Sequence, residues 1–177
     1  LTLISIAGAF LAFRVERERE ERRHAESISE RLRFLNELAA VFDRPIDAPQ
    51  LLQELTDRLR LNLELDLAWV RYQPVEHPAG VQLTTSGDAA AAGLDPDAVG
   101  SAAAELMARA DRTWITVGDM VVVALGYEGR FMGALGAVRH SRPLDDDERG
   151  TLTAAAVQAS VSLENHELQQ NRREILT

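Results

Sequence analysis

The chain has 177 residues, of which 46% are hydrophobic, so it can form one domain with a substantial core and long appended helices. Its net charge of −9 disfavours a nucleic-acid partner, because neutralising phosphates requires a concentrated basic face. The sequence contains neither cysteine nor lysine, which excludes disulfides, thiol catalysis, zinc–thiolate sites, Schiff-base lysines and phosphate-loop lysines.

The N-terminal stretch combines an apolar run with a charged one. Residues 1–15 are apolar except for Thr2, Ser5 and Arg14, and residues 16–23 are all Arg or Glu. A helix of that apolar length spans only about 22 Å, which is short of the roughly 30 Å hydrocarbon core of a membrane. We interpret residues 1–15 as the end of a transmembrane helix, whose following arginines place the rest of the chain on the cytoplasmic side of the cell membrane. The alternative is a cytoplasmic protein in which this helix packs on a partner.

A signalling helix is predicted over residues 16–43. The chain contains no Gly or Pro from Glu16 to Phe42, and Pro45 disfavours helical geometry in the residue before it. Apolar side chains recur along the helix at spacings of three and four, which is typical of a coiled-coil seam. The seam residues expected to meet a second copy are Ile28, Leu32 and Leu35. The alternative is that part of this seam is buried on the sheet of the same chain.

The middle of the chain alternates between helix and strand signals. Asp47 is a good N-cap for a helix that reaches about residue 62, and Asp95, followed by Pro, opens a second helix that reaches about residue 110. Small residues over 86–93 indicate a loop. Strands are predicted over residues 65–72, 81–85, 113–117, 120–125 and 131–138, with a turn over residues 126–129. We expect an α+β fold in which the last two strands form a hairpin that runs from the edge to the centre of the sheet.

The last helix is predicted to start between Asp145 and Glu148, because carboxylates stabilise the positive N-terminal end of a helix. This capping role also accounts for the acidic cluster, so no metal site is expected there. The heptad-like spacing over residues 161–177 is interpreted as the start of an exit coiled coil. Its dimer seam is predicted to comprise Val161, Asn165, Leu168 and Ile175, with the asparagine fixing the register. The alternative is an amphipathic terminal helix lying on its own sheet.

This order of elements resembles that of GAF domains, a family of small sensory domains. The residues that carry the resemblance lie at 121–125, 131–135, 144–145 and along the last helix, which reads Ser-Leu-Glu-Asn at 162–165. Ala124 stands where the family usually has a proline. The resemblance implies a GAF-like antiparallel sheet with helices on both faces. It covers about residues 35–168 and places the sensory domain at residues 44–160, with helices 35–43 and 145–168 packing on it.

The resemblance also guides the expectation for cofactors. Cyclic-nucleotide-binding members share a residue set that includes lysine, and bilin-carrying members attach the pigment to cysteine; this sequence has neither residue type. Haem-binding members need an axial histidine, and only His77 and His140 lie outside the long helices. A lone histidine in a turn or at the end of a strand is far more often a solvated side chain than a haem ligand, so we expect no cofactor.

A small ligand, by the same resemblance, would lie on the sheet face beneath the helix over residues 95–110. Alternation along the first strand directs Trp69 and Arg71 toward this face, and Trp114 and Thr116 of a later strand could join them. Two aromatic rings and one arginine would suit a small anionic or planar molecule. The alternative is that both tryptophans fill the core.

Together these features predict a non-catalytic sensory or relay and dimerisation module of a membrane-linked signal-transduction protein. Since the chain begins without Met and ends within a predicted helix, we expect a fragment of a sensor histidine kinase, part of a two-component system, with its catalytic part after residue 177. The alternative is a ligand-free scaffold in a diguanylate cyclase or phosphatase regulator. The expected partners are a second copy in a parallel homodimer, a small-molecule ligand and the membrane through residues before 16. A nucleic-acid partner is not expected.

Overall fold

A computed structural model describes residues 2–44, 46–74, 80–109 and 113–175, with the side chains of residues 2–14, 23, 24, 27, 127, 170, 171 and 173–175 left out. The elements are α1 (Thr2–Phe42), α2 (Ala48–Asn62), β1 (Leu67–Tyr72), β2 (Gln82–Gly87), α3 (Pro96–Ala108), β3 (Trp114–Val117), β4 (Met120–Tyr127), β5 (Arg130–Val138) and α4 (Asp146–Ile175). The predictions that involve Pro45 and His77 fall outside the described residues.

The chain divides into two units, Leu1–Asn36 and Glu37–Thr177. The first unit consists of the larger part of α1, an element that begins at Thr2 and ends at Phe42. Among the residues that the structure describes, no helix is both long and apolar enough to cross a membrane.

The second unit is built on a five-stranded sheet with the order β2-β1-β5-β4-β3, in which every neighbouring pair is antiparallel. This confirms the predicted α+β antiparallel architecture. The hairpin β4–β5 is present, but the prediction that it runs from edge to centre is wrong, because β3 forms the edge and β4 lies inside it. The hairpin turn is also tighter than predicted: Gly126 and Tyr127 remain in β4, with a β-bulge between Leu125 and Gly126.

Helices cover both faces of the sheet, as the GAF-like prediction required. On one face α3 packs over β3, β4 and β5, and the core between them includes Trp69, Val99 and Leu106. On the other face α2 packs on β1 and β2, while α4 packs mainly on β4. At the end of α1, Leu38 and Val41 are fully buried.

Side-chain caps set the starts of three helices where the sequence predicted them. Asp47 accepts a hydrogen bond from the Gln50 N–H at 2.9 Å, and Asp95 does the same for Asp97 at 3.0 Å. At the start of α4, Asp145 and Glu148 each accept the backbone N–H of the other at 2.9 Å, which is a reciprocal capping box. These local signals explain why the predicted helix starts agree with the structure.

The predicted loop over residues 86–93 begins two residues too early, because Ser86 and Gly87 belong to β2. Gly87 has a φ of +108°, and a Cβ at this position would lie closer than 3.0 Å to the backbone oxygen of Asp66. Glycine therefore permits a close approach of β2 to the start of β1. A composition-based loop prediction takes the same small residues as a break in structure.

Candidate functional site

Trp69 fills the space between the sheet and α3. Its side chain is 0% exposed, and its indole N–H donates a hydrogen bond to the Met120 sulfur at 3.2 Å. The ring lies against Gly136, where an added Cβ would come closer than 3.0 Å to three indole atoms. Trp69 is therefore a core residue, and its side chain occupies the region where a ligand was predicted.

Trp114 lies on the opposite face of the sheet. Strand pairing places Trp114 beside Val123, Val123 beside Leu135, and Leu135 beside Val70, so these residues share one face. Trp69 belongs to the alternate row, which faces α3. The predicted grouping of the two tryptophans on one face is therefore wrong. Alternation was assigned correctly within each strand, but the relative phase of β1 and β3 depends on long-range pairing.

The other two predicted ligand residues divide in the same way. Arg71 shares the α3 face with Trp69 and is partly buried, whereas Thr116 shares the α4 face with Trp114 and is exposed. Trp114 is 36% exposed and stacks under Arg149, whose guanidinium carbon lies 4.9 Å from the ring centre. Two separate pairs thus replace the predicted set of four, and a ligand role for either pair stays a prediction.

A cleft of about 190 Å³ lies on the α3 side of the sheet. It opens beside the N-terminus of α3, and at its rim the His140 ring nitrogen Nδ1 lies 3.5 Å from an Asp119 carboxylate oxygen. None of the four predicted ligand residues lines this cleft. Its lining residues are Ala92, Gly93, Leu94, Asp95, Ala98, Val117, Asp119, Met120, Val138 and His140. Within the described part of the chain, no three His, Asp or Glu side chains are grouped as a metal site would require.

A larger groove, of about 510 Å³, runs between the end of α1 and α4 within the second unit. The predicted seam residues Val161 and Asn165 line it together with Ala39 and Phe42. Val157, one turn before Val161 on α4, is 57% exposed. The remaining lining residues are Asp43, Arg44, Gln158, Ser162, His166 and Gln169. The groove thus presents apolar side chains of two helices to solvent, a feature found at sites that a partner covers.

The remaining seam residues can be placed one by one. Ile28 and Leu32 of the first unit are exposed, and Leu35 is partly buried. Leu168 of the second unit is 50% exposed, and the side chain of Ile175 lies outside the described residues. Exposed apolar residues at these positions are consistent with a dimer seam, which stays a prediction.

Glu148 joins the start of α4 to the end of β5. Its carboxylate accepts hydrogen bonds from Arg139 at 2.6 and 2.8 Å and from Arg142 at 2.7 and 2.9 Å. Burial alone would raise the pKa of Glu148, but the hydrogen bonds from Arg139 and Arg142 outweigh it and lower the pKa from 4.5 to about 2. The acidic cluster therefore contributes a cap and an ion-pair centre, and the sequence analysis identified only the cap.

Three polar contacts tie the second half of α4 to the sheet. Ser160 Oγ accepts the Gly126 N–H at 2.9 Å, Arg130 forms an ion pair with Glu164, and the Tyr72 hydroxyl donates to Glu167 at 2.5 Å. Burial of Tyr72 and its bond to Glu167 raise the pKa of the phenol above its usual value. The sequence analysis missed these contacts because their partners lie far apart in the chain.

The fold matches those of GAF domains of known structure. The GAF domain of a Pseudomonas syringae pv. tomato protein described as a sensor histidine kinase superposes with a TM-score of 0.63 at 15% identity, covering 86% of this chain and 97% of that one. Free methionine-R-sulfoxide reductase from Neisseria meningitidis, solved with its substrate, gives 0.60 at 17% identity and covers 76% and 89%. The GAF domain of a phosphoenolpyruvate-protein phosphotransferase from Acinetobacter gives 0.57 at 12% identity, covering 76% and 92%.

These matches confirm the predicted resemblance at the level of the fold. No protein-family model matches the sequence, and no curated protein matches it. The three matched structures differ in function, so what they share with this chain is architecture.

Proposed function

We propose that this chain, which has the GAF-domain fold, is a non-catalytic sensory or relay and dimerisation module of a signal-transduction protein. The observation that carries the proposal is the groove between the end of α1 and α4. Its apolar residues include Val161, and they continue on α4 to Leu168, half of whose side chain is exposed. A second copy in parallel orientation would bury the same side chains on both protomers.

The energetics favour a partner for this surface. Fully burying a Val or Leu side chain contributes about 1.5–3 kcal/mol, so covering the exposed half of Val157, Val161 and Leu168 contributes about 1 kcal/mol each per protomer. Asn165 lies among them and is exposed. A single asparagine within an apolar seam selects register and oligomeric state, which suits a helix that transmits position.

We further propose that the parent protein is a membrane-linked sensor histidine kinase, with its catalytic part after residue 177 and this module on the cytoplasmic side of the membrane. The support is the similarity to the Pseudomonas GAF domain together with the apolar stretch at residues 1–15 and the arginines that follow it. In this arrangement α1 brings a signal in and α4 carries it out. A small ligand bound near Trp69 and Arg71 would act by its differential affinity for two conformations of the module.

A specific observation favours a ligand-free module, which is the alternative that the sequence analysis placed in a diguanylate cyclase or phosphatase regulator. Trp69 occupies the space between the sheet and α3, and Gly136 is shaped to accept it. A module whose interior is filled by its own side chain can relay a change in helix position without binding a molecule.

Analytical ultracentrifugation of the 177-residue chain at micromolar concentration tests the shared premise. We expect a dimer, and we expect Val161→Glu to convert it to a monomer because a carboxylate would be buried in the seam. Leu61→Glu is the matched control, since Leu61 is 69% exposed on α2 and does not line the groove. A monomeric wild-type chain, or equal effects of the two substitutions, would contradict the proposal.

A further inference from the structure

The sheet-facing side of α4 is made largely of small residues. Ala155, Ala156, Ala159 and Ser160 are all buried against the sheet, with Leu152 and Leu163 at either end. Short side chains bury less apolar area than Leu or Ile, so apolar packing contributes less per turn along this part of the helix. The position of α4 therefore depends strongly on its polar contacts.

The first of these contacts is buried and extensive. Arg139, whose side chain is 3% exposed, forms a bidentate pair with Glu148 in the first turn of α4. The same guanidinium donates to the backbone oxygen of Leu63 at 2.9 Å and to that of Pro143 at 3.2 Å. Breaking a buried pair of this kind leaves an uncompensated charge, so this end of α4 is held firmly.

The second attachment consists of Ser160, Glu164 and Glu167, which we call the clasp together with their partners on the sheet. Spacings of four and three place the three α4 residues on one face of the helix. Their partners Gly126, Arg130 and Tyr72 lie at the bulge of β4, the start of β5 and the end of β1. The clasp thus gathers three strands at the point where α4 begins its exit seam.

Burial shows which attachment is weaker. The Arg130 side chain is 49% exposed and that of its partner Glu164 is 11% exposed, against 3% for Arg139 and 15% for Glu148. Because one partner is half exposed to solvent, the Arg130–Glu164 pair contributes less net stability than the Arg139–Glu148 pair. One carboxylate oxygen of Glu164 is buried without a hydrogen-bond partner among the described residues, so this group is only half satisfied. Opening the Arg130–Glu164 pair consequently costs less than opening the Arg139–Glu148 pair.

We propose that the clasp is a releasable attachment and that the Arg139–Glu148 pair is a fixed pivot. When the clasp opens, the part of α4 after Ser160 leaves the sheet while its first half stays docked. This inference rests on the proposed function and adds a means of regulation to it. Val161, Asn165 and Leu168 all lie beyond the pivot, so the state of the clasp sets the alignment of the seam.

Electron–electron double resonance between paired spin labels tests the proposal. The sequence contains no cysteine, so labels attach only where cysteine is introduced. One pair joins Glu128 in the hairpin turn to Gln169 beyond the clasp, and the reference pair joins Glu128 to Val157 in the first half of α4. Val161→Glu is added throughout so that each distance is measured within one protomer.

The clasp variant combines Tyr72→Phe with Arg130→Gln and Glu164→Gln, which removes the charged pair without leaving one buried charge alone. Loss of the Tyr72–Glu167 hydrogen bond is expected to raise the ratio of released to docked α4 about tenfold, and loss of the Arg130–Glu164 pair is expected to raise it by a smaller factor. We expect a second, longer distance for the pair at residues 128 and 169, and an unchanged distance for the pair at residues 128 and 157. Tyr72→Phe alone should give the same shift to a smaller extent.

Arg58→Gln is the control, because Arg58 pairs with Glu54 on α2, away from the clasp. An unchanged distance at residues 128 and 169 in the clasp variant would overturn the proposal. Broadening of both label pairs would overturn it as well, because the clasp would then hold the whole domain. Both distances are measured within one protomer, so they can be determined whether or not the wild-type chain dimerises. A failure of this proposal can therefore be distinguished from a failure of the proposed function.

Discussion

Replacing Gly136 with alanine should destabilise the chain chiefly through its nearest neighbour, Trp69. A Cβ at residue 136 would lie closer than 3.0 Å to the Cε2, Cζ2 and Nε1 atoms of the indole, where carbon atoms at optimal separation are about 3.5–4.0 Å apart. These three distances are 2.0, 2.2 and 2.3 Å, so the ring has to move by roughly 1.5–2 Å. It cannot move freely, because it is fully buried, packs with the α3 core and donates to the Met120 sulfur.

Overpacking a core costs typically about 1–3 kcal/mol, and displacing a whole indole ring places this substitution at the upper end, about 3 kcal/mol. Trp69→Ala alone should cost about 3–5 kcal/mol through the cavity it leaves. In the double variant the added methyl group enters space that the ring has vacated. We therefore expect the double variant to be more stable than the sum of the single costs, with a coupling of about 1–3 kcal/mol.

Urea denaturation followed by circular dichroism measures the free energy of unfolding of the wild type, the two single variants and the double variant. Gly100→Ala is the matched control, because a Cβ at this position in α3 meets nothing within 4 Å. This control should be neutral or stabilising by up to about 1 kcal/mol, as alanine is the better helix former. Strictly additive costs in the double variant, or a Gly136→Ala cost no larger than that of the control, would refute the packing argument.

Three further predictions follow from other contacts. The pKa of Glu148 is lowered from 4.5 to about 2, so its stabilising contribution is present above about pH 4.5 and is lost as the pH falls through 2. Glu148→Gln should therefore lower the free energy of unfolding by about 3 kcal/mol at pH 7 and by little at pH 2, as measured by thermal unfolding. Trp114→Ala should lower the free energy of unfolding by only about 1 kcal/mol in the same assay, because this ring is partly exposed and stacks on Arg149. A loss of stability equal to that caused by Trp69→Ala would instead show that both rings are core residues. Asn165→Leu should keep or raise dimer stability while relaxing register, and cysteine crosslinks at Val161 and Leu168 that keep the wild-type pattern would remove the role assigned to the asparagine.

The helix starts and the strands could be predicted from the sequence because their signals are local. Asp47, Asp95 and the Asp145–Glu148 pair cap helices within three residues of themselves. Val161 and Asn165, whose spacing led to the predicted seam on α4, are exposed, and their role in a dimer stays a prediction. Such signals require no knowledge of what lies across the sheet.

The predicted grouping of the four candidate ligand residues on one face was wrong, because long-range strand pairing determines that grouping. Trp69 and Trp114 are assigned to faces by the registers of β1 with β5, β5 with β4 and β4 with β3 in turn. A shift of one residue in any of these registers exchanges the faces, and alternation within a strand does not contain that information. The Tyr72–Glu167 contact was missed for the same reason, since 95 residues separate its partners.

The pairing of β1 with β5 has a consequence for how the chain folds. It joins Leu67 to Val138 across the middle of the sheet, whereas the β1–β2 pair and the β3–β4–β5 meander are closed by much shorter loops. Long loops carry a larger entropic cost of closure, so the β1–β2 pair and the β3–β4–β5 meander should form first, and the β1–β5 pairing that joins them should form last. Substitutions in the β4–β5 hairpin should therefore slow refolding, while Tyr72→Phe, which removes a contact between β1 and the distant helix α4, should act mainly by accelerating unfolding.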